Sequence, residues 1–385
     1  MSTLTEHDGT APRGGHAQRD AGTGPADAAG EPAGAGDARE ITMAQALFDA
    51  AYLEMQRDDR VFVMGQGVDD PRGMFGTTLG LHERFGGERS FDVPLAEEGM
   101  AGIGIGAALA GLRPIQVHQR MDFLLLCINQ LVNMAAKAHY MFDGAHRVPL
   151  VVRAIIGRSW GQGAQHSQAF HSYFMHTPGL KVVAPTTPHD AKGCLAAAIR
   201  DDNPVIVVEH RLLHGVTGLV PDRAYTTPLG RARILAPGGD ITVVGISHMA
   251  LECVRALHLL ETRGVRAEVI DPVSLSPLDA ATIAASAERT GRLLVVDTGW
   301  LSCGAAGEIV LQVLERLGGR SAVDVARMGY QPTPCPTTRS LEDLFYPSAT
   351  TIADRAYAMV TGGAAPPWDT GALARTEISE FKGPF

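Results

Sequence analysis

The sequence predicts an α/β protein with two open, mostly parallel-sheet domains. Its 385 residues exceed one ordinary domain, so two hydrophobic cores are expected. Short apolar segments alternate with segments of helical periodicity, which favours parallel strands covered on both faces. The alternation stops between His214 and Pro228, where glycine and proline recur without an apolar period, and then resumes. We therefore predict domains at 40–215 and 229–361, joined by a linker at 216–228.

Both ends of the chain are predicted to lie outside these domains. Residues 1–39 consist mainly of Gly, Ala, Asp and Pro and contain no aromatic residue. Such a segment cannot bury enough apolar surface to offset its ordering entropy, so we expect a disordered tail. Residues 362–385 are expected to form a C-terminal tail. The N-terminal residues do not show the basic start followed by an apolar core that marks a secretory signal, so none is expected.

The first domain is predicted from the local apolar period of each segment. Thr42 is a plausible N-cap for the first helix, which extends to Met55. The predicted strands are Val61–Gly65, Arg113–His118, Leu150–Ala154, Lys181–Ala184 and Pro204–Glu209. The further predicted helices are Leu79–Phe85, the glycine-rich helix after Glu97, Phe123–Met141 and Pro188–Arg200. Residues 157–168 (GRSWGQGAQHSQ) form a polar loop that carries His166.

The second domain repeats the alternation with fewer strands. Its predicted strands are Asp240–Ile246, Ala267–Ile270, Leu293–Thr298 and Val323–Val325. Its predicted helices are Ala250–Arg263, Asp279–Ser286, Ala305–Leu317 and Ala349–Val360. Short connections and right-handed crossovers make a smaller open sheet the simplest arrangement.

Composition excludes several classes of partner. The formal net charge is −9 and the pI is near 5.9, so no general nucleic-acid binder is expected. The longest apolar stretches are interrupted by glycine and are shorter than the ~20 residues of a membrane span. Five scattered cysteines without a CxxC favour reduced thiols in a cytoplasmic protein.

The stretch Phe91–Gly111 (FDVPLAEEGMAGIGIGAALAG) places Glu97 and Glu98 at the start of a Gly/Ala-rich helix. A carboxylate there is often only favourable with the helix dipole, so it does not by itself establish a function. The glycines inside this helix do not follow a strand as a dinucleotide fingerprint requires, and position 117 is Val. A nicotinamide oxidoreductase is therefore the least favoured alternative.

Three long segments resemble the β subunits of the thiamine-diphosphate-dependent 2-oxo acid dehydrogenases, a transketolase-like family. They are DVPLAEEGMAGIGIGAALAGLRP (92–114), INQLVNMAAKAHYM (128–141) and the run from GQGAQHSQ (161–168) to NPVIVVEH (203–210). The resemblance covers about residues 41–361 and includes the decarboxylating first components of pyruvate, branched-chain and acetoin complexes. It implies a transketolase pyrimidine-binding domain followed by a transketolase C-terminal domain.

The resemblance also implies two catalytic residues. Glu97 matches the glutamate that hydrogen-bonds N1′ of the cofactor's aminopyrimidine, a contact that activates the cofactor and makes Glu97 cofactor-binding as well as catalytic. His166 matches the histidine that faces the reacting carbon and assists acyl transfer to a lipoyl arm. A structural K⁺ is implied at the backbone carbonyls of Leu150, Ala198, Ile199, Asp201 and Asn203.

The resemblance further implies a separate α subunit. No GDG followed some thirty residues later by NN is present in the chain, and that motif holds Mg²⁺ and the diphosphate in this class of enzyme. The expected assembly is a heterotetramer with active sites between chains, a small 2-oxo acid substrate and a lipoyl acyltransferase partner. The alternatives are another split thiamine-diphosphate enzyme that transfers ketol units, and a non-catalytic assembly partner.

Four positions depart from the family pattern. They are Val117, Arg120, Met121 and Asn129, where the family commonly has acidic or aromatic residues. His118 and Arg120 add polar groups near the expected cofactor. The hypothesis that follows from Arg120 is a hydrophilic or acidic 2-oxo acid substrate.

Overall fold

The structure is a computed structural model that describes residues 38–158, 161–319, 322–371 and 373. The predicted disordered tail therefore lies outside the described residues up to position 37. Its last two residues belong to a strand, because the first strand begins at Ala38. Within the predicted C-terminal tail at 362–385, residues 372 and 374–385 also lie outside the described part.

Fourteen strands are found in the described ranges. They are β1 Ala38–Thr42, β2 Val61–Gly65, β3 Ser90–Asp92, β4 Arg113–His118, β5 Val151–Ile156, β6 Lys181–Val183, β7 Val205–His210, β8 Thr217–Pro221, β9 Arg233–Ala236, β10 Ile241–Gly245, β11 Ala267–Asp271, β12 Ser274–Ser276, β13 Arg292–Trp300 and β14 Asp324–Tyr330.

Twelve α-helices connect these strands in the same ranges. They are α1 Met43–Arg57, α2 Leu81–Phe85, α3 Glu97–Leu109, α4 Met121–Leu124, α5 Ala136–Met141, α6 His171–Met175, α7 Pro188–Arg200, α8 His248–Glu261, α9 Ala280–Thr290, α10 Ala305–Leu317, α11 Arg339–Phe345 and α12 Ala349–Thr361.

The strands form one sheet of seven, one of five and one of two. The orders are β12-β6-β7-β5-β4-β2-β3, β14-β13-β10-β11-β9 and β1-β8. Neighbours in the two large sheets are parallel, except that β12 and β9 each join an edge antiparallel. The predicted α/β class with two mostly parallel sheets is confirmed.

Local chemistry explains the elements that were predicted closely. Thr42 caps α1 in a reciprocal capping box with Gln45, as the sequence predicted for its N-cap. Pro188 opens α7 behind the N-cap Thr187, a position where the missing N–H of proline costs nothing. Every residue of β2 is buried, as expected for a central parallel strand.

One predicted helix was wrong, and the predicted linker contains a strand that was not predicted. The helix predicted at Phe123–Met141 is not continuous, since α4 passes into a 3₁₀ turn at Leu125–Cys127 and a π-helical turn at Gln130–Ala135 before α5. The predicted linker at 216–228 contains β8, which pairs antiparallel with β1. That pairing joins residues far apart in sequence, so no local sequence pattern predicts it.

The carboxyl end of β7 in the seven-stranded sheet lies close to the carboxyl end of β10 in the five-stranded sheet. His210 at the end of β7 stacks on His248 at the start of α8. Strand β12 comes from the second half of the chain but extends the first sheet beside β6. The two halves are therefore joined by backbone pairing as well as by side-chain packing.

Candidate active site

The seven-stranded sheet reverses its winding at β2. The chain passes from β2 to β3 on one side and then to β4 on the other side of β2. In open α/β sheets, ligands bind in the crevice outside the carboxyl ends of the strands at such a switch point. The residues that follow β2, β3 and β4 are therefore the first candidates for a site.

Glu97 lies at this crevice, in the first turn of α3. Its side chain is half-buried, and Gln66, directly after β2, donates from Nε2 to Glu97 Oε1 at 3.1 Å. The N-terminus of a 13-residue helix favours negative charge. The carboxylate is thus held in one direction while part of it faces solvent.

His118 ends β4 at the same crevice. It is 6% exposed, and its Nε2 has no hydrogen-bond partner within the described residues. Burial lowers the pKa of His118 to about 4, although the charge of Glu97 acts in the opposite direction. The ring is therefore neutral at neutral pH and adds a polar group to the crevice.

The irregular segment between α4 and α5 fixes the start of α3. Cys127 donates its thiol to the backbone carbonyl of Glu97 at 3.1 Å, and burial raises the pKa of this thiol to about 12. Gln130 donates from Nε2 to Glu98 Oε1 at 3.0 Å. Glu98, the exposed neighbour of Glu97, is thus held away from the crevice by its own partner.

His166 contacts α4, which directly precedes that segment, through the ring of Phe123. Its imidazole meets the ring of Phe123 edge-on, with centroids 5.3 Å apart. Phe123 and Cys127 are four positions apart, about one helical turn. Glu97 and His166 therefore contact successive turns of one segment, and among the described residues they form no hydrogen bond with each other.

The guanidinium of Arg120 is bound by acceptors of the protein itself. It is 4% exposed, and its guanidinium donates to the carbonyl of Gly157 at 2.8 Å and to the side-chain oxygen of Gln162. Burial lowers the pKa of Arg120 to about 10, so it remains charged at neutral pH. The hypothesis that Arg120 indicates a hydrophilic or acidic 2-oxo acid substrate stays a prediction, although oxygens of the protein itself already accept from this guanidinium.

The five carbonyls implied as K⁺ ligands belong to Leu150 and to the end of α7 with the turn after it. Arg113 donates to two of them, to Ile199 at 2.9 Å and to Asp201 at 3.2 Å. Leu150 and Ala198 accept backbone bonds from Val205 and Asp201. A cation bound there would lie beside the Arg113 guanidinium and share its acceptors.

Sequence reasoning missed Gln66, Asp122 and Cys127. Gln66 had a usable signal, because it directly follows a buried strand that a switch-point argument would have singled out. Asp122 and Cys127 act through contacts with residues 30 or more positions away, and no local pattern reveals such contacts.

The fold and this crevice define a protein of the transketolase class. Residues 39–216 match the family described as transketolase, pyrimidine binding domain, and residues 230–352 match the transketolase C-terminal domain. A solved structure described as a split gene transketolase, inactive beta4 tetramer, aligns with a TM-score of 0.68 at 20% identity. That alignment covers 84% of this chain and 99% of the other.

Curated relatives give the particular family. The chain is 40% identical to the acetoin:2,6-dichlorophenolindophenol oxidoreductase subunit beta of Cupriavidus necator, over 85% of this chain and 99% of that protein. It is 39% identical to the pyruvate dehydrogenase E1 component subunit beta of Rickettsia felis, over 82% and 97%. The mitochondrial pyruvate dehydrogenase E1 β subunit of Pisum sativum is 40% identical, over 80% and 88%. The chain belongs to the family of 2-oxo acid dehydrogenase E1 β subunits.

Two features are absent from the described residues. No helix there is both long and apolar enough to cross a bilayer. No group of three or more His, Cys, Asp or Glu side chains in that part of the chain is arranged to hold a metal ion.

Proposed function

We propose that this chain is one half of a thiamine-diphosphate-dependent enzyme that decarboxylates a 2-oxo acid, with its active site completed by an α subunit. The observation that carries the proposal is the Glu97 carboxylate, held by Gln66 at the switch point of the sheet. Ligands bind at such a switch point, and the cofactor needs a carboxylate at its pyrimidine ring to be activated. The family membership supports the same reaction.

The residues at the crevice fit the pyrimidine ring of the cofactor. Thiamine diphosphate, when bound, supplies the electron sink that lets a 2-oxo acid lose CO₂. Glu97 would accept a hydrogen bond from the protonated N1′ and hold that proton on the ring. The unpartnered Nε2 of His118 offers a further polar contact to a bound ring. The Mg²⁺ and the diphosphate are assigned to the α subunit.

His166 would serve the second half of the reaction. It is half-buried in a polar segment and is oriented by the edge contact with Phe123. We assign it to stabilising negative charge at the reacting carbon and to the transfer of the acyl group to a lipoyl arm. The lipoyl acyltransferase is accordingly proposed as a second partner.

An exposed apolar surface supports the α partner and the heterotetramer. Ile103 on α3 is 59% exposed, and Leu126 and Tyr140 on the following segment are 57% and 88% exposed. A Cβ added at Gly99, Gly102 or Gly106 would meet no atom within 4 Å, so the small-residue stripe of α3 is open. Exposed large apolar side chains on elements that pack against each other are typical of protein interfaces.

The decisive experiment reconstitutes the chain with its α subunit. The complex, supplied with thiamine diphosphate, Mg²⁺ and pyruvate or another 2-oxo acid, should reduce an artificial electron acceptor, whereas the chain alone should not. Glu97→Gln should lower kcat by at least about 10²-fold, the scale of a positioned acid or base. Glu98→Gln is the matched control and should retain activity. Turnover by the chain alone would contradict the shared site, and full activity of Glu97→Gln would indicate a non-catalytic assembly partner.

The split transketolase alternative is tested in the same assay. The 20% identical structure supports only a common fold. A ketol-transfer enzyme would use a ketose phosphate donor and an aldose acceptor, and it would not release CO₂ from a 2-oxo acid. Activity with the sugar phosphates alone would overturn the dehydrogenase proposal.

The K⁺ site remains a proposal of its own. If K⁺ binds at the Leu150 and α7 carbonyls, the midpoint of thermal unfolding should rise in KCl compared with equal concentrations of NaCl or choline chloride. Equal unfolding midpoints in the three salts would contradict K⁺ binding, and the Arg113 guanidinium would then be the cationic group that these carbonyls contact.

The remaining sequence expectations are retained as proposals. We divide the chain into a pyrimidine-binding domain at 40–215 and a C-terminal domain at 229–361, and we propose a cytoplasmic location. Fractionation of the producing cells tests the location, and expression of each domain separately tests the division.

A further inference from the structure

Four consecutive residues that follow β4 and Gln119, namely Arg120, Met121, Asp122 and Phe123, each hold a different part of the polypeptide that carries His166. Arg120 bonds to Gly157 and Gln162, while Met121 Sδ accepts the backbone N–H of Phe170 at 3.2 Å. Asp122 Oδ1 accepts from the backbone N–H of Gln168 at 3.1 Å and from its Nε2 at 2.9 Å. Phe123 contacts the His166 ring itself.

These contacts surround His166 on both sides. Gln162 precedes it by four residues and Gln168 follows it by two. Arg120 and Asp122 are both buried, so each of their hydrogen bonds replaces solvation that the charged group gave up. A polar, glycine-rich segment has little intrinsic order of its own, so its conformation depends on such anchors.

A third anchor ties the same polypeptide to the second half of the molecule. His171 Nε2 and Asp297 Oδ1 are 2.9 Å apart, and both side chains are buried. The other oxygen of Asp297 accepts the backbone N–H of Ala306 at the start of α10. The polypeptide on the C-terminal side of His166 is thereby fixed to β13 and α10.

We propose that Arg120 and Asp122 are positioning residues for the reaction, which hold the segment 161–168 so that His166 faces the Glu97 crevice. This inference rests on the proposed function of His166. In this proposal neither residue touches the reacting atoms, and both act by fixing the position of the His166 imidazole. A displacement of about 1 Å at a catalytic group is enough to cost about 10²-fold in rate.

The test compares Asp122→Leu with Asp122→Asn in the reconstituted α and β complex. Asp122→Leu removes the acceptor of both Gln168 bonds and should lower kcat by about 10- to 100-fold. Asp122→Asn keeps an oxygen acceptor of the same shape and should stay within about threefold of the unmodified complex. Gln168→Met removes one of the two bonds without altering the buried carboxylate, and it serves if Asp122→Leu does not fold. A smaller loss in the same direction is expected for it.

A double-mutant cycle separates positioning from a general loss of structure. In a His166→Gln background, Asp122→Leu should cause no further loss of kcat, because the group that it positions is already absent. An equal fold-loss in both backgrounds would overturn the proposal, as would an Asp122→Asn enzyme as impaired as Asp122→Leu.

Amide hydrogen exchange of the purified chain provides a readout that does not need activity. Peptides spanning 161–170 should exchange faster in Asp122→Leu and Arg120→Met, and at the unmodified rate in His166→Gln. Unchanged exchange in the first two variants would contradict the anchoring. If the unmodified complex lacks 2-oxo acid activity while the exchange result holds, the proposed function fails and the anchoring stands.

Discussion

His210 at the end of β7 stacks on His248 at the start of α8, with ring centroids 4.5 Å apart and ring planes 11° from parallel. Both rings are buried between the two halves of the molecule. Burial is the main cause that lowers the pKa of His248 to about 4 and the pKa of His210 well below its usual range. Two neutral imidazoles can therefore stack without charge repulsion.

This stack predicts a loss of stability in mild acid. The unfolded chain binds a proton on each histidine near its ordinary pKa of ~6.5, whereas the folded chain does so only at lower pH. The free energy of unfolding should therefore be highest above about pH 6.5. It should fall toward pH 4 by up to about 1.4 kcal/mol per pH unit for each histidine.

Urea denaturation over this pH range measures the effect. Arg158 opposes protonation of both rings, and Glu252 favours it only at His248. His248→Asn should reduce the slope by about one proton. His258→Asn, on the same helix but with a half-exposed ring, is the matched control and should leave the slope unchanged.

A buried ion pair predicts a second effect on stability. Arg153 donates to Glu209 at 2.5 and 3.0 Å with both side chains fully buried, and His214 completes the group. Arg153→Gln leaves a buried carboxylate without its main partner and should cost about 3–5 kcal/mol of unfolding free energy. Arg147→Gln, at an exposed arginine paired with Asp202, should cost at most about 1 kcal/mol. Equal losses in the two variants would contradict the prediction.

Two glycines with positive φ should respond differently to alanine. Gly179 has φ +100°, and a Cβ there would lie 2.0 Å from the backbone oxygen of Ala136. Gly264 has φ +73° with no atom within 4 Å of the added Cβ. Gly264→Ala should cost only the strain of the left-handed conformation, about 1–2 kcal/mol. Gly179→Ala should cost clearly more or prevent folding, and thermal unfolding of the two variants provides the comparison.

The bond between Gln66 and Glu97 predicts a shift in the pH profile of the complex. Gln66→Glu replaces the amide donor by a second carboxylate beside Glu97. Two neighbouring carboxylates repel each other when both are ionised, so one of them should hold its proton to higher pH. The acidic limb of the kcat/KM profile should then move to higher pH. Gln56→Glu, at an exposed position of α1, is the control. An unmoved acidic limb would contradict the prediction.

Many helices and strands were predicted from local sequence patterns, because the residues of each such segment determine its conformation. Val61–Gly65 and Pro188–Arg200 were predicted with the observed bounds, since one is an uninterrupted buried strand and the other has a proline at its start. The change from α to 3₁₀ to π geometry between Leu125 and Ala135 was not readable. No Gly or Pro marks it, and it coincides with the bonds of Cys127 and Gln130 to α3.

The site divides in the same way. Glu97 and His166 were named through long motifs, but composition alone gave no reason to prefer Glu97 over Glu98. Their contacts separate the two, because Gln66 directs Glu97 to the crevice and Gln130 draws Glu98 away. The substrate hypothesis for Arg120 stays a prediction, because a buried arginine and a substrate-binding arginine are identical in sequence and differ only in their acceptors.

The pairing of β1 with β8 brings the first and last strands of the first half of the chain next to each other. Ala38 lies opposite Pro221 and Thr42 opposite Thr217, so the two ends of the domain are held side by side. Closely spaced ends are what domain insertion and circular permutation require. Insertion of the domain into another chain would therefore need only one pair of adjacent joints, although β12, which extends its sheet beside β6, would have to be supplied with it.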